Sequence, residues 1–357
     1  MLNSIKSFFV LKKVLEKLKS KYKLKLFKYN KKIMNRLNID IDDFKSYALL
    51  KEFNQKLELK IKDIELTKLD LMYKQLDMDK LTFLSYMEFK HLEELYLSNN
   101  NISNIEIFEK FKFKNLEILG LGYNEIKDIQ VLEKVNFNYL KQLNLKRNYI
   151  CSIDVLEKLQ SEQLEILILA SNLIDNIKIL DKVNFKKLKV LDLSENKIDD
   201  IKVLERVDFK NLEKLNLTDN NISNIDILEK VDFKKLKELY LNLNQINDIT
   251  VLSKVQFERL EVLNLNSNKI SDISILKEVN FNELKNLGLG NNNIENIDIF
   301  EEVNFKKLIF LYLCFNKISN IDNFDRIKFR EIKKIYLNNN PLNTERIPKS
   351  EIIVLSY

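Results

Sequence analysis

The 357-residue chain has no tryptophan, one histidine, two prolines, two cysteines and four glycines. A single histidine, His91, leaves no Cys/His cluster at zinc-ligand spacing, so we expect no metal site and assign His91 a surface or capping role. The four glycines, Gly120, Gly122, Gly288 and Gly290, form no phosphate-cradling loop. So little glycine and proline argues against a fold built from many tight glycine turns. No apolar run approaches the roughly 18 residues of a membrane span. "FFVL" (Phe8 to Leu11) ends at Lys12 and Lys13, too short for the apolar core of a secretory leader. These absences lead us to expect no enzyme, no catalytic residues, no cofactor and no small-molecule substrate, in a cytoplasmic protein.

Apolar residues make up 45% of the chain and charged residues 31%, the balance of a core-forming chain rather than a disordered one. Net charge is +6, unevenly placed. Residues 1–38 hold twelve Lys or Arg and one acid, Glu16, a head of +11 that leaves −5 for residues 39–357. Because basic character is confined to the head, we expect no nucleic-acid partner.

The main feature is periodic. Asn100 recurs as Asn at 124, 148, 172, 196, 220, 244, 268, 292, 316 and 340, an unbroken spacing of 24. Aligned on it, each unit reads L-x-x-L-x-L-x-x-N-x-I-x-x-I-x-x-L-x-x-V-x-F-x-x, as in "LEKLNLTDNNISNIDILEKVDFKK", Leu212 to Lys235. Ten complete units run from Leu92 to Glu331, and an eleventh begins at Ile332. Met78, Leu81, Leu84, Met87 and Phe89 fall in register with Ile102, Ile105, Phe108, Phe111 and Phe113.

Through "LxxLxLxxNxI" the units resemble the leucine-rich repeat family. The resemblance implies an α/β solenoid: a curved parallel sheet on one side, short helical or 3₁₀ return segments on the other, and a helical N-terminal cap. The residues alone point the same way. L-x-L alternates with period two, as a strand with one inward face does. The later apolar positions, such as Ile222, Ile225, Leu228 and Val231, are spaced by three, which fits a 3₁₀ turn. One coil cannot bury these residues alone; stacked coils can. Ten coils at about 4.8 Å each give roughly 50 Å along the sheet.

The repeated Asn reads as a ladder whose amides satisfy turn N–H and C=O groups. Phe113, Phe137, Phe185, Phe209, Phe233, Phe257, Phe281, Phe305 and Phe329 read as a buried spine. The third coil departs, with Ser161 for Phe and Leu159 for Val, predicting a locally thinner core. Cys151 and Cys314 lie seven coils apart, roughly 33 Å, far beyond the ~7 Å a disulfide allows. Sequons at Asn101, Asn216 and Asn221 are expected by chance in asparagine-rich turns.

Binding is the better prospect. Residues flanking the inward leucines should form the concave face, and they vary from coil to coil. Tyr96, Ile118, Tyr123, Arg147, Tyr149, Ile166 and Ile168 form one candidate partner-binding cluster, and Phe310, Tyr312, Phe315 and Tyr336 a second. Between them the coils offer Asn, Asp, Ser, Thr and Lys. Rows of exposed apolar and aromatic residues mark interaction surfaces.

We divide the chain into a basic helical head at 1–65, a partial leading repeat at 66–91, ten repeats at 92–331, and a truncated last repeat with a C-terminal cap at 332–357. In the head, Leu11, Leu15, Leu18, Tyr22, Leu26, Tyr29 and Ile33 recur at helical spacing among lysines, and a second helical stretch is expected at about 41–58. Residues 9–32, "FVLKKVLEKLKSKYKLKLFKYNKK", resemble an F-box, which implies docking to a ubiquitin-ligase adaptor. The head could also seal the first coil or lie on a membrane surface. The apolar tail "EIIVLSY" should cover the last strand. The resulting expectation is a protein–protein interaction scaffold, with an F-box-like substrate receptor, a phosphatase regulatory subunit-like protein or a membrane-surface scaffold as alternatives.

Overall fold

The computed structural model describes residues 66–343 apart from 88, 90, 322–325, 327 and 328, together with 50–52, 54–57, 59 and 352–355. The head's amphipathic stretch and the F-box-like segment lie outside the described residues. Within the second expected helical stretch, 50–52 and 54–56 are helical.

The strands are β1 (Lys68–Asp70), β2 (Glu94–Tyr96), β3 (Ile118–Gly120), β4 (Gln142–Asn144), β5 (Ile166–Ile168), β6 (Val190–Asp192), β7 (Lys214–Asn216), β8 (Glu238–Tyr240), β9 (Val262–Asn264), β10 (Asn286–Gly288), β11 (Phe310–Tyr312), β12 (Lys334–Tyr336) and β13 (Ile353–Val354). They form one sheet in sequence order, with every neighbouring pair parallel. From β2 to β12 the register advances 24 residues per strand, as in Lys214↔Glu238. The first step is 26, Lys68↔Glu94. The C-terminal segment supplies β13, which pairs with β12 through Ile335↔Ile353.

Each three-residue strand alternates outward, inward, outward. In β7, Leu215 is fully buried while Lys214 and Asn216 are half-buried. On the return side the first helix, α1 (Met78–Ser85), is α-helical, capped by the Asp77 side chain accepting from the Lys80 N–H. The coils that follow use 3₁₀ turns instead, from Glu106–Lys110 to Asp298–Glu301. Apolar spacing by three suits three residues per turn, so Ile225 and Leu228 both face the core. An Asn or Asp two residues ahead of the turn accepts from its first N–H, as Asp200 does from Lys202 at 2.9 Å. That accounts for Asp200 as a turn-capping residue.

The repeated asparagines form the ladder that their spacing implied. The Asn220 Oδ1 accepts the Ile198 N–H of the preceding coil at 3.0 Å. Its Nδ2 donates to Leu193 O at 3.0 Å and to Leu217 O at 3.1 Å. The same bonds recur at Asn124, Asn172, Asn244 and Asn316. One amide therefore ties two coils together where the strand ends. The nine spine phenylalanines are all buried, and Phe113 stacks on Phe137 with ring centroids 6.5 Å apart. Ser161 is also buried, and its hydroxyl donates to Leu140 O at 2.9 Å. Cys151 and Cys314 are both free.

The residue before each ladder asparagine lies in the left-handed region. From Asn99 to Asn339 these eleven residues have φ between 53° and 58°, and none is glycine. Few glycines therefore do not mean few left-handed turns. Backbone bonds on the next coil hold the conformation, as when the Tyr123 N–H donates to Lys146 O at 2.7 Å. Tyr123, Arg147, Leu243 and Phe315 are the bulkiest residues held this way, each at a conformational cost of about 1–2 kcal/mol.

Candidate interaction surface

The outward strand positions and the left-handed row that follows them form one continuous surface. Tyr123 and Arg147 occupy left-handed positions on consecutive coils, and the Arg147 guanidinium lies 5.4 Å from the Tyr123 ring centroid, a cation–π pair. Tyr123 is 41% exposed and Tyr149 50%. Ile118 on β3 and Ile166 on β5 are half-buried and not adjacent, because Gln142 of β4 pairs with both. Ile168 sits outward on β5, half-buried.

Tyr96 belongs to a local triad. Its hydroxyl donates to Glu94 Oε2 at 3.0 Å, Lys68 Nζ meets the same carboxylate at 3.0 Å, and Lys68 lies 4.7 Å over the Tyr96 ring. The arrangement recurs six coils later. Lys214 Nζ is 2.8 Å from Glu238 Oε2 and 4.8 Å over the Tyr240 ring, and the Tyr240 hydroxyl donates to Glu238. Burial first, and then the neighbouring carboxylate, push both phenols above the usual tyrosine value. The Lys68 hydrogen bond holds Glu94 below the usual carboxylate range. The shared "ELYL" at 94–97 and 238–241 is the sequence signal for this pair of triads.

At the far end, Tyr312 of β11 and Tyr336 of β12 stack with centroids 4.7 Å apart and planes within 1°. Phe310 tilts against Tyr312 at 6.5 Å. Phe315, in the left-handed row, is 49% exposed. Leu243, 48% exposed in the same row, adds an exposed apolar side chain to the middle coils. Its place is visible only once the backbone conformation is known.

The return side is charged and solvated. Lys134 pairs with Glu109, Lys158 with Glu133, and Lys230 with Glu205. An open groove of about 500 Å³ between the first two return turns, lined by Asn104, Glu109, Asp128 and Lys134, falls within this network. Among the described residues no group of His, Cys, Asp or Glu is arranged to hold a metal ion. No helix among them is long and apolar enough to cross a membrane.

Residues 90–134 and 210–254 match the family model for leucine-rich repeats in paired copies. The chain carries leucine-rich repeats. Among solved structures, the repeat array is similar to an internalin of Listeria monocytogenes, with 21% identity, 87% of this chain and 94% of that chain covered, and a TM-score of 0.65. It is also similar to a leucine-rich repeat protein of Leptospira interrogans, at 20% identity, covering 86% and 98% of the two chains, with a TM-score of 0.55. The Arabidopsis receptor kinase HAESA, solved with a peptide hormone and a co-receptor, matches at 19% identity over 84% of this chain and 54% of that one, with a TM-score of 0.61. At these identities the likeness is one of fold. No curated protein sequence matches the repeat protein.

Proposed function

We propose that this leucine-rich repeat protein is a non-enzymatic scaffold that binds another protein on the outward face of its sheet. The supporting observation is the contrast between the two sides of each strand. Inward positions are leucine or isoleucine in every coil from β2 to β12, whereas outward positions vary along the array and include half-buried aromatics. Exposed aromatic side chains such as Tyr123 and Phe315 add nothing to the core, and such exposed groups mark interaction surfaces. Proteins with this repeat are typically interaction modules, which agrees with the reading. Tyr123, Arg147, Phe310, Tyr312, Phe315 and Tyr336 are the contact residues we assign.

Affinity purification of the full chain from its native cell, beside a Phe310→Ala/Tyr312→Ala variant and a Tyr123→Ala/Arg147→Ala variant, tests this. A captured protein lost in either variant, at unchanged melting temperature, is the expected result. Capture that survives both variants, or loss that tracks unfolding, refutes it.

A further inference from the structure

The four glycines all stand in two Gly-x-Gly pairs on the outward face, at 120/122 and 288/290, and none has positive φ. The left-handed positions, where glycine would relieve strain, carry other residues. What glycine supplies here is therefore the absence of a side chain. At Gly288 a Cβ would fall 2.7 Å from Asn264 Oδ1 and 2.8 Å from Asn266 Oδ1. Glycine lets these two amides lie across β10. Their oxygens are held in place: Asn264 Oδ1 accepts the Asn266 N–H at 3.1 Å, and Asn266 Oδ1 accepts the Gly290 N–H at 2.7 Å. With both oxygens engaged, the Nδ2 groups of these half-buried amides are the remaining side-chain donors.

The surroundings differ from the rest of the face. Outward positions of β6–β8 carry Asp192, Lys214 and Glu238, whereas those of β9–β11 carry no charge. Asn286 adds a third amide. On the next strand Gly288 pairs in register with Tyr312, whose ring stacks on Tyr336. One row further, Asn338 is 3% exposed and neither its Oδ1 nor its Nδ2 is hydrogen-bonded. A buried amide without partners is rare.

We propose that the outward face of β9–β11 is a binding site for a neutral oligosaccharide. A neutral sugar presents an apolar C–H face and a rim of hydroxyls that both donate and accept. Tyrosine rings pack against the first, and asparagine amides match the second. An uncharged ligand leaves no charge to be paired, and β9–β11 offer none. An anionic glycan would find no cation on those strands; Lys334, on β12, stands in register with Phe310 rather than with the amides. The proposal rests on reading this face as the binding surface and adds a second class of ligand to it.

The test is to screen the full chain against immobilised neutral, sialylated and sulfated oligosaccharides, then titrate hits in solution. The expected result is binding of a neutral glycan, weakened at least about tenfold by Tyr312→Ala and by Asn286→Ala at unchanged melting temperature. Gly288→Ala should also weaken it by displacing the two amides. Binding of anionic glycans only, no neutral binding, or affinity unchanged in the first two variants overturns the proposal. So do displayed peptides that select this face and are lost in Tyr312→Ala, although they leave the protein-scaffold reading standing. A chain that binds the glycan but captures no protein from its native cell supports this site and sinks that reading instead.

Discussion

Ile198 and Asn220 lie 22 residues apart in sequence and are joined by a 3.0 Å hydrogen bond from the Ile198 N–H to Asn220 Oδ1. The bond runs backwards along the solenoid, from the strand end of one coil to the turn of the coil before. Asn220→Leu keeps the volume but leaves the Ile198 N–H and the Leu193 and Leu217 carbonyls without partners. Stranding such buried groups costs about 1–3 kcal/mol. Urea titration should show the midpoint falling accordingly, and an unchanged midpoint would refute the ladder's structural role.

The left-handed row gives a prediction of opposite sign. Leu243 holds φ at 57° and is 48% exposed, so it gains little from packing and carries the strain of the conformation. Asn tolerates this region well and already occupies it at Asn99, Asn291 and Asn339. Leu243→Asn should raise stability by roughly 1 kcal/mol. A loss in the same titration would show that Leu243 packs in a way that outweighs the relief.

How much of this was legible in sequence depended on whether a position repeats. Leu215, Asn220, Ile222 and Phe233 recur in every or nearly every coil, so period, strand, turn and ladder could all be read from spacing. The left-handed conformation was hidden, because its usual marker, glycine, never stands there and the residue changes from Tyr123 to Leu243 to Phe315. Outward contacts were only partly visible. Tyr96 looks like a free aromatic in the sequence, but the structure ties it to Glu94 and Lys68. Tyr312 and Tyr336 looked alike and do stack. A single variable position has no neighbours in the sequence, whereas in the sheet it has one on each side.

The ion-pair rows set the pH range of stability. Glu213 pairs with Lys237 at 2.7 Å, Glu165 with Lys189 at 2.8 Å, and Glu261 with Lys285 at 2.6 Å. The Lys237 hydrogen bond lowers the Glu213 pKa below its ordinary 4.5, so its contribution is present above that value and is lost as pH falls through the folded pKa. Glu165 and Glu261 raise Lys189 and Lys285 above 10.5, so their contribution is present below 10.5 and is lost as pH rises through the folded values. The raised phenols of Tyr96 and Tyr240 also remove stability as pH climbs past 10. Thermal melts should therefore show a plateau from about pH 4.5 to 10 that slopes down at both ends. Because the pairs are solvent-exposed, the slopes should shrink in high salt. Melting temperatures that keep rising beyond either limit would contradict the assignment.

Ser161 provides a direct test of how the one irregular coil is packed. Nine other coils carry Phe there, so restoring the consensus would seem stabilising. The hydroxyl, however, donates to Leu140 O, the Ser161 N–H donates to Leu159 O, and the residue is 1% exposed. The coil has closed around a small polar side chain, and Phe137 and Phe185 on either side are each 1% exposed. A phenyl ring would have to displace these neighbours and would leave Leu140 O unbonded. Ser161→Phe should therefore destabilise, by about 1–3 kcal/mol from overpacking, against the direction that repeat consensus suggests. A stabilised Ser161→Phe variant would mean instead that coil three holds a void wide enough to rebuild the spine.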